Sequence, residues 1–383
     1  MKAAVVTPGQ AGSGRIADVP KPQPKPGEVL VRVYEVGIDG TDAEILEGQY
    51  GEAPPGDDYL IIGHESLGRV ESISDGVEEL APGDWVVAIV RRPDPVPCRN
   101  CANAEWDMCL NGLYTERGIK GLHGFLAEYY VEQPRYLVKL TAELARVGVL
   151  LEPLTIAEKA LDQIKRIQSR LVWEPERAVI LGAGPVGLLA ALLLRLQDLE
   201  VHVYDRTEPG LKSQLVEAMG AQYIWAEKRR LDHKLADEIG PIDIIFEATG
   251  YSPLAFDAMD TVAPNGIVCL SGVSGGGRTI QVSADHLNLE LVLGNRVVFG
   301  TVNANRRHFE AGAKHLSEIE ARWPGLLTRI ITTRIPMERF AESVQRRPGG
   351  VKTVIEVLPM ASSAAPVLGV RQRRCVRGGL RTE

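Results

Sequence analysis

Residues 177–205 constrain the fold more than any other stretch of the chain. A short apolar run at 178–181 leads into the glycine pattern Gly-Ala-Gly-Pro-Val-Gly at 182–187. A second apolar run and a strand-like segment that ends at Asp205 follow. This order predicts a strand, a tight turn, a buried helix and a second strand that ends on an acidic residue. Such a unit is typical of a doubly wound α/β sheet that binds a dinucleotide.

Each glycine of the pattern has its own physical reason. Gly182 permits the turn, Gly184 lets the backbone approach a pyrophosphate, and Gly187 lets the helix pack closely on the sheet. The helix N-terminus offers free N–H groups and a dipole to the phosphates. An ordinary glycine turn is the alternative, and the flanking strands and the terminal acid argue against it. The candidate cofactor-binding residues of this unit are Gly182, Gly184, Pro185, Val186, Gly187, Asp205 and Arg206.

Asp205 and Arg206 favour different cofactors. A carboxylate at the end of the second strand pairs with the free ribose hydroxyls of NAD and repels a 2′-phosphate. The guanidinium of Arg206 can instead bind such a phosphate bidentately. Glu208 adds a negative charge, and no second basic residue stands beside Arg206 in the sequence. We therefore expect NAD to be preferred and NADP to be tolerated.

Charge and composition exclude several classes of protein. The net charge of −7 argues against nucleic acid as a main partner. The longest apolar run, 186–194, is too short to span a bilayer, and no secretory signal follows Met1. We expect a cytoplasmic protein of two domains, without a nucleic-acid or membrane partner.

The periodicity of the sequence changes along the chain. Residues 1–150 contain short apolar runs between Gly and Pro turns, which predict a β-rich domain. Residues 155–171 follow a helical period, and strands and helices then alternate to about residue 300. For residues 308–358, the sequence predicts one or two helices and a last strand that begins at Lys352. The final segment, 361–383, carries five Arg residues and no apolar period, which predicts a disordered basic tail.

Three short motifs outside the glycine pattern carry candidate metal ligands. Gly-His-Glu at 63–65 contains His64 and Glu65, and Gly-Ile-Asp-Gly-Thr-Asp at 37–42 contains Asp39 and Thr41. Leu-Glu-Pro-Leu at 151–154 contains Glu152. Each motif is weak by itself, since a single histidine is more often a structural residue and Glu-Pro is a common helix start.

Together, these motifs and the glycine pattern resemble the zinc-dependent medium-chain dehydrogenases over nearly all of residues 1–358. Within this superfamily the chain is most similar to the archaeal-type glucose dehydrogenases, on the short sequence segments at 114–119, 158–160 and 302–304. The resemblance implies a GroES-like β-rich catalytic domain, 1–150 completed by 308–358. It also implies a doubly wound Rossmann cofactor-binding domain, 151–307, and a homodimer or homotetramer.

The resemblance also implies roles for individual residues. The catalytic Zn²⁺ is expected on Asp39, His64, Glu65 and Glu152. Thr41 is expected near the reacting alcohol, which makes the catalytic set Thr41, Asp39 and His64. Substrate contacts are expected from Thr41, Glu116, Glu152 and Asn303, and further cofactor contacts from Thr249, Ser271 and Asn303.

Asp39 departs from most of this superfamily, which has a cysteine at this position. A carboxylate is a harder ligand than a thiolate, so the affinity for Zn²⁺ should fall and tolerance of Mn²⁺ or Mg²⁺ should rise. Three carboxylates and a neutral imidazole would give the site a net charge of −1, which polarises an alcohol poorly. We therefore expect that Glu65 and Glu152 do not both bind the metal fully at the same moment, because a catalytic site needs an open position.

The cysteine loop resembles the structural-zinc lobe of the family. Cys98, Cys101 and Cys109 match three of its usual four cysteines, and Pro95 stands at the position of the first. Two readings stay open. Asp94 or Asp107 completes a tetrahedral zinc site, or the lobe holds no metal.

Two classes of function compete on these residues. The first is a metal-dependent oxidoreductase that converts the C1 hydroxyl of an aldose such as glucose to the lactone with NAD(P)⁺. A zinc-dependent polyol or alcohol dehydrogenase of the sorbitol or threonine type is the alternative within this class. The second class is a nucleotide-binding relative without catalysis, which should lack His64, Glu65 and Glu152.

Overall fold

The structure is a computed structural model that describes residues 1–344 and 349–360. The basic tail predicted for 361–383 lies outside these described residues. None of the described helices is both long and apolar enough to cross a bilayer.

The strands in the first 150 residues are short and connected mostly by turns. They are β1 (Lys2–Val6), β2 (Arg15–Asp18), β3 (Val29–Ile38), β4 (Leu60–Ile61), β5 (Glu65–Ile73), β6 (Trp85–Ala88), β7 (Arg91–Arg92), β8 (Thr115–Arg117), β9 (Gly121–Leu122), β10 (Tyr129–Glu132) and β11 (Leu137–Leu140). Two helices interrupt them, α1 (Gly40–Leu46) and α2 (Arg99–Ala102). Short 3₁₀ turns lie at Trp106–Met108, Pro134–Tyr136, Ala142–Arg146 and Gly148–Leu150.

Strands and helices alternate in the middle of the chain. Its helices are α3 (Leu151–Gln168), α4 (Pro185–Leu196), α5 (Leu211–Ala218), α6 (His233–Ile239), α7 (Ser252–Thr261) and α8 (Ala284–Leu293). Its strands are β12 (Arg177–Leu181), β13 (Glu200–Asp205), β14 (Gln222–Trp225), β15 (Ile244–Glu247), β16 (Ile267–Leu270) and β17 (Val297–Gly300). All six strands are parallel, in the order β14-β13-β12-β15-β16-β17. The order reverses between β12 and β15, and a doubly wound sheet binds its ligand at such a point.

The C-terminal part returns to the β-rich region. Two helices, α9 (Arg306–Arg322) and α10 (Leu326–Ile330), precede β18 (Ile331–Pro336), a 3₁₀ segment (Met337–Val344) and β19 (Lys352–Glu356). The last two strands extend the largest sheet, of order β11-β6-β5-β3-β19-β18, and β10 pairs with β3. β19 runs antiparallel to β3, with Thr353 opposite Ile38. Strand β19, near the end of the described chain, therefore lies directly beside residues 35–38.

The glycine turn is sterically tight at two of its three glycines. Gly182 has φ +105°, which L side chains rarely adopt. A Cβ on Gly187 would lie 1.9 Å from the Gly182 carbonyl oxygen, so only glycine fits there. A Cβ on Gly184 would meet nothing within 4 Å, so the backbone there faces open space.

Two predictions of local structure need correction. The helix predicted for 155–171 begins at Leu151 and ends at Gln168, because a proline in the first helical turn loses no intrahelical bond. Glu152 consequently lies on the first turn of α3. Strand β18 was not predicted at all, although its Ile-Thr-Thr start is rich in β-branched residues.

Candidate active site and cofactor cleft

Asp39 is held in place by the start of a helix. It is the N-cap of α1, and its Oδ1 accepts hydrogen bonds from the Thr41 and Asp42 backbone N–H groups at 2.8 and 3.2 Å. The Asp39 N–H in turn donates to Asp42 Oδ2 at 3.1 Å, which completes a capping box. Because one oxygen of Asp39 serves the cap, the other, Oδ2, is the one turned toward His64.

His64 lies between two carboxylates. Its Nε2 is 3.6 Å from Asp39 Oδ2, and its Nδ1 is 3.7 Å from Asp42 Oδ2. Burial alone would lower the pKa of this imidazole, but the charges of Asp39 and Asp42 outweigh burial and raise it well above its usual value. A carboxylate behind the distal nitrogen of a ligating histidine is a common arrangement at metal sites. The sequence analysis did not assign this role to Asp42, although the capping box places it there.

Glu65 is paired with a lysine from the far end of the chain. Its Oε2 contacts Lys352 Nζ, and both side chains are almost fully buried. Lys352 Nζ also donates to the Ile38 carbonyl oxygen at 3.0 Å. Gly37 leaves the space for this carboxylate, since a Cβ there would lie 1.9 Å from Glu65 Oε2. Lys352 was missed as a site residue because only β19 pairing with β3 places it here.

Glu152 is buried near the same centre but is not part of its closest group. Burial raises the pKa of Glu152 to about 8; His64 and Lys352 oppose this effect, and Glu65 and Asp39 add to it. The ligand atoms of Asp39, His64 and Glu65 lie within 4.8 Å of one another, and Glu152 does not belong to that set. The structure thus brings three of the four predicted metal residues together and leaves the fourth close enough to respond to their charge.

The donor set fits a divalent metal ion. Tetrahedral Zn²⁺ with bonds of about 2.0–2.1 Å separates neighbouring ligand atoms by roughly 3.4 Å. The separation of 3.6 Å between His64 Nε2 and Asp39 Oδ2 is close to this value. Glu65 Oε2 is already paired with Lys352 Nζ, so a metal ion that binds Glu65 competes with this lysine. Three protein ligands leave the open position that a catalytic site requires.

Glu116 and Asn303, both predicted to hold sugar hydroxyls, contact each other. Asn303 Nδ2 donates to Glu116 Oε1 at 2.8 Å. Arg91 donates to the same oxygen from Nε at 3.0 Å and lies 2.9 Å away through Nη2. Thr41 is nearer the metal residues, and its Oγ1 donates to Asp39 Oδ2 at 3.3 Å. Arg91 is an addition to the predicted set, which the sequence offered no motif to find.

The predicted dinucleotide contacts lie at the carboxyl ends of the parallel strands. No side chain among the described residues caps the start of α4 at Gly184, so its N–H groups remain available to an anion. Asp205 Oδ2 accepts a bond from the Ala183 N–H at 2.7 Å, and Oδ1 accepts one from the Thr207 N–H at 2.7 Å. Burial would raise the pKa of Asp205, but the hydrogen bonds from Thr207 and Ala183 hold it below its usual value.

A second cation stands beside Asp205. Lys212 Nζ lies 3.4 Å from Asp205 Oδ2 and 3.2 Å from Thr207 Oγ1. The sequence analysis counted Arg206 alone because Lys212 lies six positions further on, at the start of α5. Arg206 itself is exposed. Two cations therefore accompany Asp205 and Glu208 in this region, which weakens the repulsion that was expected to disfavour NADP.

Glu247 organises the other predicted cofactor contacts. This buried carboxylate at the end of β15 accepts hydrogen bonds from the Thr249 and Gly250 N–H groups at 2.6 and 2.9 Å. Ser271 Oγ donates to the Glu247 carbonyl oxygen at 2.9 Å. Ser271 also lines a cavity of about 330 Å³ that reaches Lys159. Glu247 was missed, although an acid at the end of a buried strand is a visible signal.

The cysteine loop contains three thiols and no fourth ligand among the described residues. The sulfur atoms of Cys98, Cys101 and Cys109 lie within 4.8 Å of one another. Backbone N–H groups, chiefly that of Leu110, lower the pKa of Cys98 to about 6, whereas burial raises that of Cys101 to about 11. Neither proposed carboxylate completes the site. Asp94 accepts from Asn111 at 2.6 Å, and Asp107 pairs with Lys159 at 2.8 Å.

Two family models together match most of the chain. The model described as alcohol dehydrogenase GroES-like domain matches residues 25–142, and the model described as glucose dehydrogenase C-terminus matches residues 145–357.

Relatives and solved structures are similar over nearly the whole chain. The glucose 1-dehydrogenase of Methanocella arvoryzae is 48% identical over 93% of this chain and 99% of its own length. Glucose 1-dehydrogenase 1 of Caldivirga maquilingensis is 43% identical, with 94% and 100% covered. The solved structure of Haloferax mediterranei glucose dehydrogenase in complex with NADP, Zn and gluconolactone is similar at a TM-score of 0.86 and 33% identity, over 94% of this chain and 100% of that one.

Proposed function

The chain belongs to the glucose dehydrogenase family of zinc-type medium-chain dehydrogenases, and from that premise we propose that it oxidises the C1 hydroxyl of an aldose such as glucose to the lactone with NAD(P)⁺. The observation that carries this function is the convergence of Asp39, His64 and Glu65 beside a doubly wound sheet with an uncapped helix start. A non-catalytic nucleotide-binding protein has no use for such a group of metal-ligating side chains, two of which, His64 and Glu65, are buried.

We propose that Asp39, His64 and Glu65 hold Zn²⁺, with Glu152 as an exchanging fourth group. When bound, Zn²⁺ lowers the pKa of the sugar C1 hydroxyl, and the nicotinamide accepts the hydride from C1. Asp42 orients His64 by facing its Nδ1. Lys352 competes with the metal for Glu65, so Glu65 can leave the ion without being stranded as an unpaired buried charge.

Thr41 is the proposed route for the proton. Its hydroxyl both donates and accepts, and it already donates to Asp39 Oδ2 at 3.3 Å. A hydroxyl in this position can accept the proton of the sugar C1 hydroxyl while passing its own onward. Thr41 is half-buried, so the proton has a short path to solvent.

Substrate selection is proposed to lie with Glu116 and Asn303. A carboxylate and an amide can together accept and donate to adjacent sugar hydroxyls. A simple alcohol has no further hydroxyls to offer Glu116 and Asn303, so it gains none of the hydrogen bonds that a sugar makes with them. This difference favours polyhydroxylated substrates over simple alcohols.

The cofactor is proposed to bind at the carboxyl ends of β12, β13, β15 and β16. Gly184 leaves open space for a pyrophosphate, and Asp205, at the end of β13, is proposed to hold the adenosine ribose. Thr249 and Ser271 face the same edge of the sheet, after β15 and β16. We propose that residues 151–307 carry this cofactor function, and that 1–150 with 308–358 carry the metal and the sugar, to which Glu152 and Asn303 of the cofactor part contribute.

One panel of assays tests the function. Reduction of NAD⁺ and NADP⁺ is followed with several aldoses, with polyols such as sorbitol, with threonine and with simple alcohols, each with and without a chelator. We expect the highest kcat/KM with an aldose and loss of turnover after chelation. A higher kcat/KM with sorbitol or threonine would assign the chain to that type instead.

We propose further that two copies associate through α8 and the edge strand β17. β17 has one strand neighbour among the described residues, and α8 has no buried residue. Leu289, Val292 and Leu293 are 52–72% exposed, which leaves an apolar face uncovered. Leu293→Asp should lower the mass measured by light scattering to that of one chain.

We also propose a cytoplasmic location. The four cysteines in the described residues are free thiols, and the cytosol is the compartment that keeps thiols reduced.

A further inference from the structure

Three helices of the dinucleotide-binding part bring two histidines and one carboxylate together, far in sequence from the residues assigned to catalysis. His233 begins α6, Asp260 lies in the last turn of α7, and His286 lies in the first turn of α8. Their ligand atoms all lie within 4.8 Å of one another. The cluster has no part in the proposed reaction or in holding the cofactor.

The two imidazoles converge on the two oxygens of one carboxylate. His233 Nε2 lies 3.3 Å from Asp260 Oδ2, and His286 Nε2 lies 2.9 Å from Asp260 Oδ1. Neighbouring ligands of tetrahedral Zn²⁺ are separated by roughly 3.4 Å, given bonds of about 2.0–2.2 Å. The two measured distances are those of imidazole–carboxylate contacts, and an ion can take their place because one ligand atom from each of the three residues lies within 4.8 Å of the others.

Asp260 Oδ1 has capacity for a further partner. This oxygen is buried and accepts no hydrogen bond of good geometry, even though His286 Nε2 is near it. A buried carboxylate oxygen without a hydrogen bond costs free energy unless a cation or another donor satisfies it. The two imidazoles are half-exposed at 54% and 49%, so an ion can reach the cluster from solvent.

The surrounding charges favour a cation. Asp260 and Asp232 both lie near enough to Asp257 to act on its charge, with Arg230 as the opposing cation. Burial raises the pKa of Asp257; Arg230 lowers it, and the charges of Asp260 and Asp232 raise it further. Arg296 is turned to the backbone, where it donates to the Asp260 carbonyl oxygen at 2.8 Å. It also pairs with Glu290 and so does not neutralise the Asp260 side chain.

We propose that His233, Asp260 and His286 form a second site for a divalent transition metal, with Zn²⁺ as the probe. Two imidazoles and one carboxylate are a ligand set that suits Zn²⁺ and leaves one position for water. Since α8 has no buried residue of its own, an ion here fastens it to α6 and α7. The site is structural, and its loading is separate from that of Asp39, His64 and Glu65.

The first test counts zinc on the intact holoenzyme at one buffered concentration of free Zn²⁺. We expect wild type to hold one zinc per chain more than His233→Ala/His286→Ala, and Asp260→Asn to lose the same ion. His315→Ala is the matched control, because His315 pairs with a single carboxylate, Glu158 at 2.7 Å, and has no second imidazole. Equal zinc content in wild type and the double variant would overturn the proposal.

The second test needs no variant. Carbethoxylation of histidines in wild-type holoenzyme is mapped by mass spectrometry with and without added Zn²⁺. We expect His233 and His286 to be protected by Zn²⁺ while His315 reacts equally in both samples. Equal modification of His233 and His286 with and without Zn²⁺ would also overturn the proposal, whatever the variants do.

Discussion

Asn303 Nδ2 donates a hydrogen bond to Glu116 Oε1 over 2.8 Å, although the two residues are 187 positions apart in the chain. The same carboxylate oxygen lies within 3.0 Å of two nitrogens of Arg91. Glu116 is thus oriented from two sides before any sugar arrives. A substrate hydroxyl must either share this oxygen or use the second oxygen of the carboxylate.

Glu116→Gln should weaken glucose binding more than it slows the chemical step. The amide keeps the shape but loses the charge that accepts strongly from a sugar hydroxyl and from Arg91. We expect the KM for glucose to rise about tenfold, ~1.4 kcal/mol, with the KM for NAD(P)⁺ little changed. Steady-state kinetics with each substrate varied in turn measure this. An unchanged KM for glucose would mean that Glu116 only supports Arg91.

Asp42→Asn should weaken metal binding without removing a ligand. Asp42 faces His64 Nδ1 at 3.7 Å, and such carboxylates raise the basicity of the opposite nitrogen. Zinc affinity should fall about tenfold to hundredfold, as is usual for partners of this kind. Competition with a chromophoric chelator measures it, with His64→Ala as the variant that should lose the catalytic ion altogether. Equal affinity in wild type and Asp42→Asn would refute the assigned role.

Lys352→Met should make the fold depend on metal. The substitution leaves Glu65 as a buried carboxylate without its partner, which costs about 3 kcal/mol or more. Zn²⁺ restores a positive charge beside Glu65, so the rise in Tm on adding Zn²⁺ to metal-free protein should be larger than in wild type. An equal rise in both proteins would show that Glu65 does not approach the ion.

The cofactor preference should respond to two residues in opposite directions. Asp205→Ala removes a carboxylate that repels a 2′-phosphate and should raise the relative use of NADP⁺ by about tenfold, ~1.4 kcal/mol. Lys212→Ala removes a cation beside the same position and should lower it. The ratio of kcat/KM for the two cofactors is the measurement. A Lys212→Ala variant with an unchanged ratio would return the choice to Asp205 and Arg206 alone.

Glu132→Gln should make the free energy of unfolding less dependent on pH in the acidic range. Burial would raise the pKa of Glu132, but Arg117 and Arg92 outweigh burial and hold it below 4.5. A carboxyl group whose pKa is lower in the folded than in the unfolded protein adds to the free energy of unfolding at a pH above its unfolded pKa. This contribution is lost as the pH falls through the folded pKa. The variant should be less stable at neutral pH and lose less on acidification, as urea unfolding at several pH values would show. Parallel pH profiles for both proteins would contradict this.

Sequence patterns predicted those parts of the site that depend on neighbouring residues. The glycine turn was predictable from the sequence because the local backbone conformation requires glycine at Gly182 and Gly187. His64 and Glu65 were found through a short motif. Lys352 was not found, because only the long-range pairing of β19 with β3 places it beside Glu65. Lys212 was not found either, because it lies on the first turn of the following helix, α5, and reaches Asp205 from there. The cysteine pattern also did not reveal that Asp94 is bonded to Asn111 of the same loop and that Asp107 is paired with the distant Lys159, so a fourth zinc ligand from either residue stays a prediction.

The pairing of β19 with β3 has a consequence for biosynthesis. Residues 37–65 leave the ribosome early, but Lys352 and the strand that covers them emerge only when the described chain is almost complete. Because N-terminal segments are synthesised first, the nascent β-rich part must wait with Glu65 unpaired while the parallel sheet of 177–300 is translated. We therefore expect the β-rich part to complete its largest sheet only after β19 has been synthesised, and polypeptides that terminate before residue 352 to leave Glu65 without its lysine partner.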